Sequence, residues 1–450
     1  MLATPRVNKT KLQFFLPSLL GVLLFLTPIP WDGSRSIIVG ILVEWLKRLM
    51  GNYGVHIVIG ILLVTCILTV MGTAFRAGWI HRHAKLKILF DVPLIWLSLR
   101  LIGLGFGLIY FFQIGPELLT SDKIGGAVFV DIGVNVVAVW VVSCLLLPLL
   151  TDFGFMEFAG TMARPIFRTI FQLPGRAAID AVTSFVGASS IGLLITIGQY
   201  DHNNYTARQA SVIATNFSVV SIPFCIVVAT VSGIRHLFIS WYGFVVLACL
   251  IAAVITPRLP PLSRKANTYQ SGEPEKPIGD KNDSRSLLRE AWERGMERAE
   301  SAPGVREFFV TGLTNMMFFA FSVMAAAMAL ATMAALITFH TPLFYWLGYP
   351  FVSLLEMAKL PDAAAAAPAL FSGFLDQYMP AIIAKGIDSE VTSFVLAGLS
   401  VCQLIFMSEL GVIILRSSLP LSLWELAQIF LLRTVIVLPV LILGAGIVAG

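Results

Sequence analysis

Apolar runs of 18 or more residues recur along the whole chain, divided by short polar, basic or proline-rich segments. Each run is long enough for a helix to cross a bilayer core of about 30 Å. The pattern predicts spanning helices at roughly 12–30, 54–72, 88–112, 126–150, 206–230, 237–256, 306–338, 390–416 and 424–449. Segment 36–50 keeps Glu44, Lys47 and Arg48 to one side, which suits a helix lying in the membrane interface. Segments 152–172 and 343–359 have the same short, aromatic character, and each ends in a Leu-Pro pair. The basic-then-apolar start lacks a small-residue cleavage site, so a retained first helix is expected rather than a signal peptide.

One stretch is hydrophilic throughout, residues 257 to 306. It opens on Pro257, Pro260 and Pro261 and closes on SLLREAWERGMERAE, which places Leu288, Trp292, Met296 and Ala299 on one helical face. A helix resting on the cytoplasmic surface is expected there.

The chain repeats itself. LPGRAAIDAV at 173 returns as LPDAAAAAPA at 360, and at this offset of 187 residues Ile195 meets Ile382, Asn216 meets Gln403 and Ser221 meets Ser408. The order of parts repeats too. A long helix precedes an interfacial helix, a Leu-Pro pair, about 25 residues broken at their centre, a helix bearing an amide, and a final span. Two such units in one chain are a transporter pattern. The expected domains are N-terminal scaffold helices (1–125), a first repeat (126–256), a linker (257–305) and a second repeat (306–450).

Charge decides whether the broken segments, 175–199 and 362–386, cross the membrane. The loop at 73–87 carries Arg76, Arg82, Lys85 and Lys87, and residues 257–306 carry ten Lys and Arg. Both should face the cytoplasm. Four crossings separate them, an even number, so 175–199 must enter and return. Folded in half, each arm is about 12 residues or 18 Å, which carries its tip near mid-bilayer. The second hairpin then opens to the opposite side, and the repeats are inverted. The expected fold is an all-α polytopic membrane protein, an inverted repeat with two re-entrant helical hairpins.

Composition agrees: 57% of the 450 residues are hydrophobic and 13% charged. The net charge of +5 follows from the positive-inside bias, so nucleic acid is excluded as a partner. The five cysteines all fall in apolar runs and read as core residues. No phosphate loop, HExxH or nucleophile triad is present, and no enzyme is expected.

A re-entrant tip leaves backbone groups unpaired, which is tolerated only beside a polar cavity. The first tip offers Gly187, Ser189 and Ser190, and the aligned second tip offers Asp376 and Gln377. A carboxylate at the bilayer centre costs on the order of 3 kcal/mol, so Asp376 should face a solute, an ion or a partner. The helices after the hairpins add Asn216, Ser218 and Ser221, then Gln403, Ser408 and Glu409. Amides and hydroxyls both donate and accept, which suits a neutral polyhydroxyl or heterocyclic solute. Glu409 reads as a proton carrier or half of an ion pair.

At its two Leu-Pro-hairpin-helix units, with GASS followed by ATNFSVVS in the first, the sequence resembles the Gate family. That domain is shared by concentrative nucleoside transporters, the ferrous iron transporter B protein and spore maturation proteins A and B. Within it, the chain looks like the YjiH family of bacterial inner-membrane proteins with a YjiG-like second half. The resemblance implies a concentrative-nucleoside-transporter-like fold, and places the tips with Asn216, Ser218, Gln403 and Ser408 where such transporters contact solute and sodium. GASS stands where they carry a Gly-Gln-Thr-Glu-like tip. The expected function is an ion-coupled secondary transporter of a small polar solute, nucleoside-like first, in the bacterial inner membrane. An inorganic-ion permease and a non-transporting scaffold are the alternatives. No cofactor is expected beyond a coupling Na+ or H+, and solute and lipid are the implied partners, with a homo-oligomer left open.

Overall fold

The computed structural model describes residues 5–31, 34–186, 189–220, 222–275 and 286–449. It is an all-α polytopic membrane protein. Among the described residues, six helical stretches are long and apolar enough to cross a bilayer: Ile38–Ala74, Leu94–Phe112, Glu117–Thr151, Arg235–Arg258, Val305–His340 and Leu423–Val448. Large apolar side chains such as Ile67, Leu250, Val435 and Ile447 remain exposed on them, as lipid-facing surfaces require.

Several expected spans are interrupted. The first helix, Pro5–Leu26, stops before Pro28 and Pro30, and the chain turns through a small antiparallel hairpin, Pro28–Trp31 with Ser34–Ile37. The expected span 88–112 divides into Ala84–Phe90 and Leu94–Phe112 around Pro93. The expected span 206–230 divides into Ala207–Asn216 and Ile222–Val231, the second half carrying Pro223 in its first turn. The expected span 390–416 divides into Glu390–Cys402 and Leu410–Arg416. There Leu404 takes a φ of +59°, a costly conformation for a bulky residue that persists only where the surroundings hold it.

Both Leu-Pro turns share one backbone device. Gln172 (φ +55°) and Lys359 (φ +57°), 187 residues apart, each follow the end of a helix, Phe155–Thr169 or Leu343–Met357, in the left-handed region just before Leu173-Pro174 and Leu360-Pro361. The chain then enters the paired helices Ala177–Val186 and Ser189–Asp201, or the shorter helices Ala363–Ala366, Ala369–Ser372 and Met379–Lys385. In the first pair the approach is close: a Cβ on Gly192 would lie 1.7 Å from Ser184 Oγ.

The linker helix is Leu287–Glu300, and its buried face differs from the expected one. Ala291, Gly295 and Ala299 are buried, while Leu288 is 59% exposed. Small residues at i, i+4 and i+8 let the helix lie close against Phe155–Thr169, where charge then fixes it. Arg164 Nη1 donates to Glu290 Oε1 at 2.9 Å, and Arg298 reaches Asp152 at 3.4 Å. Burial pushes the Glu290 carboxyl up, but the bonds from Arg164 and Arg294 outweigh it and hold the group below its usual range. Trp292 closes the contact between Phe14 and Phe15.

Gly154 makes this docking possible. It has a φ of +98°, and a Cβ there would lie 2.1 Å from the Gly295 carbonyl oxygen. Gly154→Ala should destabilise the protein by about 1–3 kcal/mol, the cost typical of forcing extra volume into a packed contact. Gly60→Ala, in open space on Gly54–Thr69, should be neutral or mildly stabilising. Thermal unfolding of the two variants checks this; equal midpoints would show that the Gly154 contact is not made.

Candidate functional site

The second hairpin tip, residues 373–378, and the second helix interruption, residues 403–409, are joined through their backbones. The Met407 amide donates to the Phe374 carbonyl at 2.8 Å and the Ser408 amide to the Leu375 carbonyl at 3.0 Å. These two bonds between turns satisfy groups that a straight helix would have bonded internally. The Tyr378 amide donates to Asp376 Oδ1 at 2.9 Å, and the Ser408 side chain also bonds this carboxylate. Gly373 is required here, because a Cβ would lie 2.0 Å from Gln403 Oε1.

A cavity of about 140 Å³ lies beside the tip. Its wall takes Asp376, Gln377 and Tyr378 from the second tip and Phe406, Ser408 and Glu409 from the second interruption. The first half adds Ser189 from its hairpin and Val220, Phe224 and Val227 from its own interrupted helix. Trp140 and Ser143 close one side, and Phe319, Val323 and Met328 another. Ile132, Phe319 and Val323 lie on π-helical stretches, Asp122–Val134 and Phe319–Val323, a geometry that widens a helix and recurs at functional sites. Arg100, 2% exposed, braces the second of these: Nη2 donates to the Ser322 carbonyl at 2.9 Å and Nη1 to the Leu89 carbonyl at 2.9 Å.

The wall is apolar and aromatic with its polar groups gathered at one place. It carries two carboxylates, Asp376 and Glu409, and no Lys, Arg or His among the described residues. Gln377 Nε2, Tyr378 OH and Ser143 Oγ are buried with no partner among the described residues. A buried polar group left unpaired costs about 1–3 kcal/mol, so three together point to a polar ligand or ordered water. No group of three or more His, Cys, Asp or Glu among the described residues is arranged to hold a metal ion.

Of the residues singled out in the sequence, Ser189, Asp376, Gln377, Ser408 and Glu409 line this cavity. Gly187 and Ser221 lie outside the described residues, as does the side chain of Ser190. Ser218 is buried in the first interruption and is not part of the cavity wall. The two aligned amides lie behind the wall and bind protein. Gln403 Nε2 donates to the Leu370 carbonyl and to Thr434 Oγ1, both at 3.0 Å. Asn216 Nδ2 donates to the Val212 carbonyl at 3.2 Å, and its Oδ1 accepts from Thr256 Oγ1 and from Arg433 Nη1, the latter at 2.7 Å. Asp131, on the π-helical stretch Asp122–Val134, pairs with Lys385. Tyr378 and Ser143 were not singled out, although a hydroxyl beside Asp376-Gln377 at a broken tip was a signal in plain view.

Asn216 thus holds one side of a buried guanidinium. Asn216→Ala should cost about 2 kcal/mol in stability, the worth of a hydrogen bond to a charged group. Thermal unfolding in detergent reads this, and an unchanged midpoint would mean that Asn216 does not hold Arg433.

Comparison with known proteins fits this geometry. The Gate family, described as nucleoside recognition, matches residues 134–235, which span the first hairpin, the first interrupted helix and its cavity-lining residues. An uncharacterized protein of Alkalihalophilus pseudofirmus is 41% identical over 438 residues, covering 97% of this chain and 94% of the relative. No solved structure matches the chain significantly. The chain carries a Gate (nucleoside recognition) domain over residues 134–235 and belongs to the same family as this relative.

Proposed function

We propose that the protein is a secondary transporter of a small polar solute in a bacterial cytoplasmic membrane, and that the cavity is its solute site. One observation carries the reading: two hairpins and two interrupted helices, one of each from each half of the chain, contribute to the same cavity wall. Ser189 and Asp376, which the offset of 187 residues aligns, both line it. Interrupted helices that meet at a cavity are the device by which transporters bind solutes within the bilayer.

The hairpins are read as re-entrant and oppositely directed, and contacts at their mouths support this. Ahead of the first hairpin, the Ile170 carbonyl accepts from Arg258 Nη2 at 3.1 Å. Behind it, Asn203 Oδ1 accepts from the Ser271 amide at 2.9 Å, and the Ala207 amide donates to the Thr268 carbonyl at 2.8 Å. Both ends therefore touch the linker. The second hairpin closes on itself likewise, with Thr392 Oγ1 donating to the Pro361 carbonyl at 2.6 Å. Its mouth pairs with the loop at the far end of helix Phe238–Ile255, through Glu390 and His236 at 2.6 Å. That helix is about 27 Å long, close to a bilayer core.

The size of the cavity suits one ring-sized group, since an engineered cavity of about 150 Å³ holds benzene. A nucleobase or a comparable heterocycle fits that room, with Gln377 and Tyr378 as its hydrogen-bonding partners. The two carboxylates also suit a cation, so a coupling proton or sodium, or an inorganic ion as cargo, is the second reading.

A thermal-shift panel of nucleosides, nucleobases, dipeptides and inorganic ions identifies the class, and proteoliposome uptake of the hit tests transport. Asp376→Asn should cut uptake about tenfold or more, equivalent to roughly 1.4 kcal/mol. Its folding should hold or improve because a costly buried charge is gone. Unchanged uptake and ion dependence in Asp376→Asn would remove Asp376 from the site. No uptake of any solute, with tolerance of tip substitutions, would favour the scaffold.

A further inference from the structure

Arg433 lies in the middle of the last helix, Leu423–Val448, and is fully buried. No ion pair with a carboxylate reaches it among the described residues; its titratable neighbours are the thiols of Cys249 and Cys402. An unpaired buried guanidinium would be prohibitively costly, so something else must balance the charge. The ends of two helices do. Nε and Nη2 donate to the carbonyl of Cys402, the last residue of Glu390–Cys402, at 3.1 and 2.8 Å. Nη1 donates to Oδ1 of Asn216, the last residue of Ala207–Asn216, at 2.7 Å.

The C-terminus of a helix carries a partial negative charge and carbonyls without intrahelical partners. Two such ends converge here, one from each half of the chain, and they present carbonyl and amide oxygens with the Thr256 hydroxyl bonded alongside. Oxygens of this kind are the ligands that hard cations take, and the C-terminal ends of interrupted helices are where transporters coordinate cations.

We propose that Arg433 is a tethered cation filling the place where the two interrupted helices would otherwise bind a metal ion, so that this centre works without sodium. The guanidinium is tied to the helix and cannot diffuse away. The place at the two interruptions is therefore always filled, and any coupled cation must act at the Asp376 and Glu409 cavity instead. This requires only the folded protein and stands apart from the transport reading.

The test uses purified full-length protein and thermal unfolding in sodium, potassium or choline chloride of equal ionic strength. An Asp376→Asn, Glu409→Gln protein, whose cavity no longer offers a carboxylate to a cation, should unfold at the same temperature in all three. Arg433→Gln, which keeps a polar side chain but loses the charge, should fall by about 5 °C or more in choline. Millimolar guanidinium or sodium should restore much of that loss. Arg433→Lys should fall less and show no sodium dependence. A midpoint for the Asp376→Asn, Glu409→Gln protein that rises saturably with sodium but not potassium overturns the proposal, and this arm decides even if no Arg433 variant folds. So does an Arg433→Gln protein as stable as the unaltered one in choline.

Discussion

An interrupted helix leaves carbonyl and amide groups that nothing within the helix can satisfy, and in an apolar surrounding each one is costly. Two interruptions stand at the centre of this protein, after Asn216 and after Cys402, and much of the core is arranged around them. The first is held by Arg433 and Thr256 on two later helices. The second is held by Arg433, by the backbone pairing of Met407 and Ser408 with the hairpin tip, and by Gln403 bridging Leu370 to Thr434. One helix, Leu423–Val448, supplies both Arg433 and Thr434. The two halves of the chain are tied together at a single guanidinium.

The same scheme explains why most of the polar groups in the cavity wall come from the second tip and the second interruption. The backbone at the second tip is already paired, so its side chains Asp376, Gln377 and Tyr378 are left to face the open space. The opposing walls come from helices packed on the N-terminal scaffold, widened by π-helical turns and aromatic in character. Polar groups on one side and ring faces on the other suit a planar solute with an edge that hydrogen-bonds.

Much of this was legible in the chain. Apolar run length gives the membrane class, and the two Leu-Pro pairs mark turns that share one backbone conformation at Gln172 and Lys359. Asp376 stood out because a carboxylate in an apolar stretch is expensive. The interruptions in 206–230 and 390–416 were not legible, since composition is the same whether an apolar segment runs straight or breaks. Asn216 and Gln403 were visible as polar residues at matching places, but their partners lie far along the chain, Arg433 being 217 residues from Asn216. A lone arginine in an apolar run announces a cost without naming the group that offsets it. On the linker helix Trp292 and Ala299 of the expected face do make contact, but the buried stripe runs through the small residues Ala291 and Gly295 rather than Leu288.

The architecture is tested most directly at the two hairpin mouths. Single cysteines replacing Asn203 and Asp388, both exposed, can be labelled with a membrane-impermeant thiol reagent while the five natural cysteines stay buried. If each hairpin enters and returns from its own side, the cysteine at 203 is labelled from the linker face and the one at 388 from the opposite face. Labelling of both from the same face would mean that one broken segment crosses, and the opposed hairpins meeting at one cavity would be excluded.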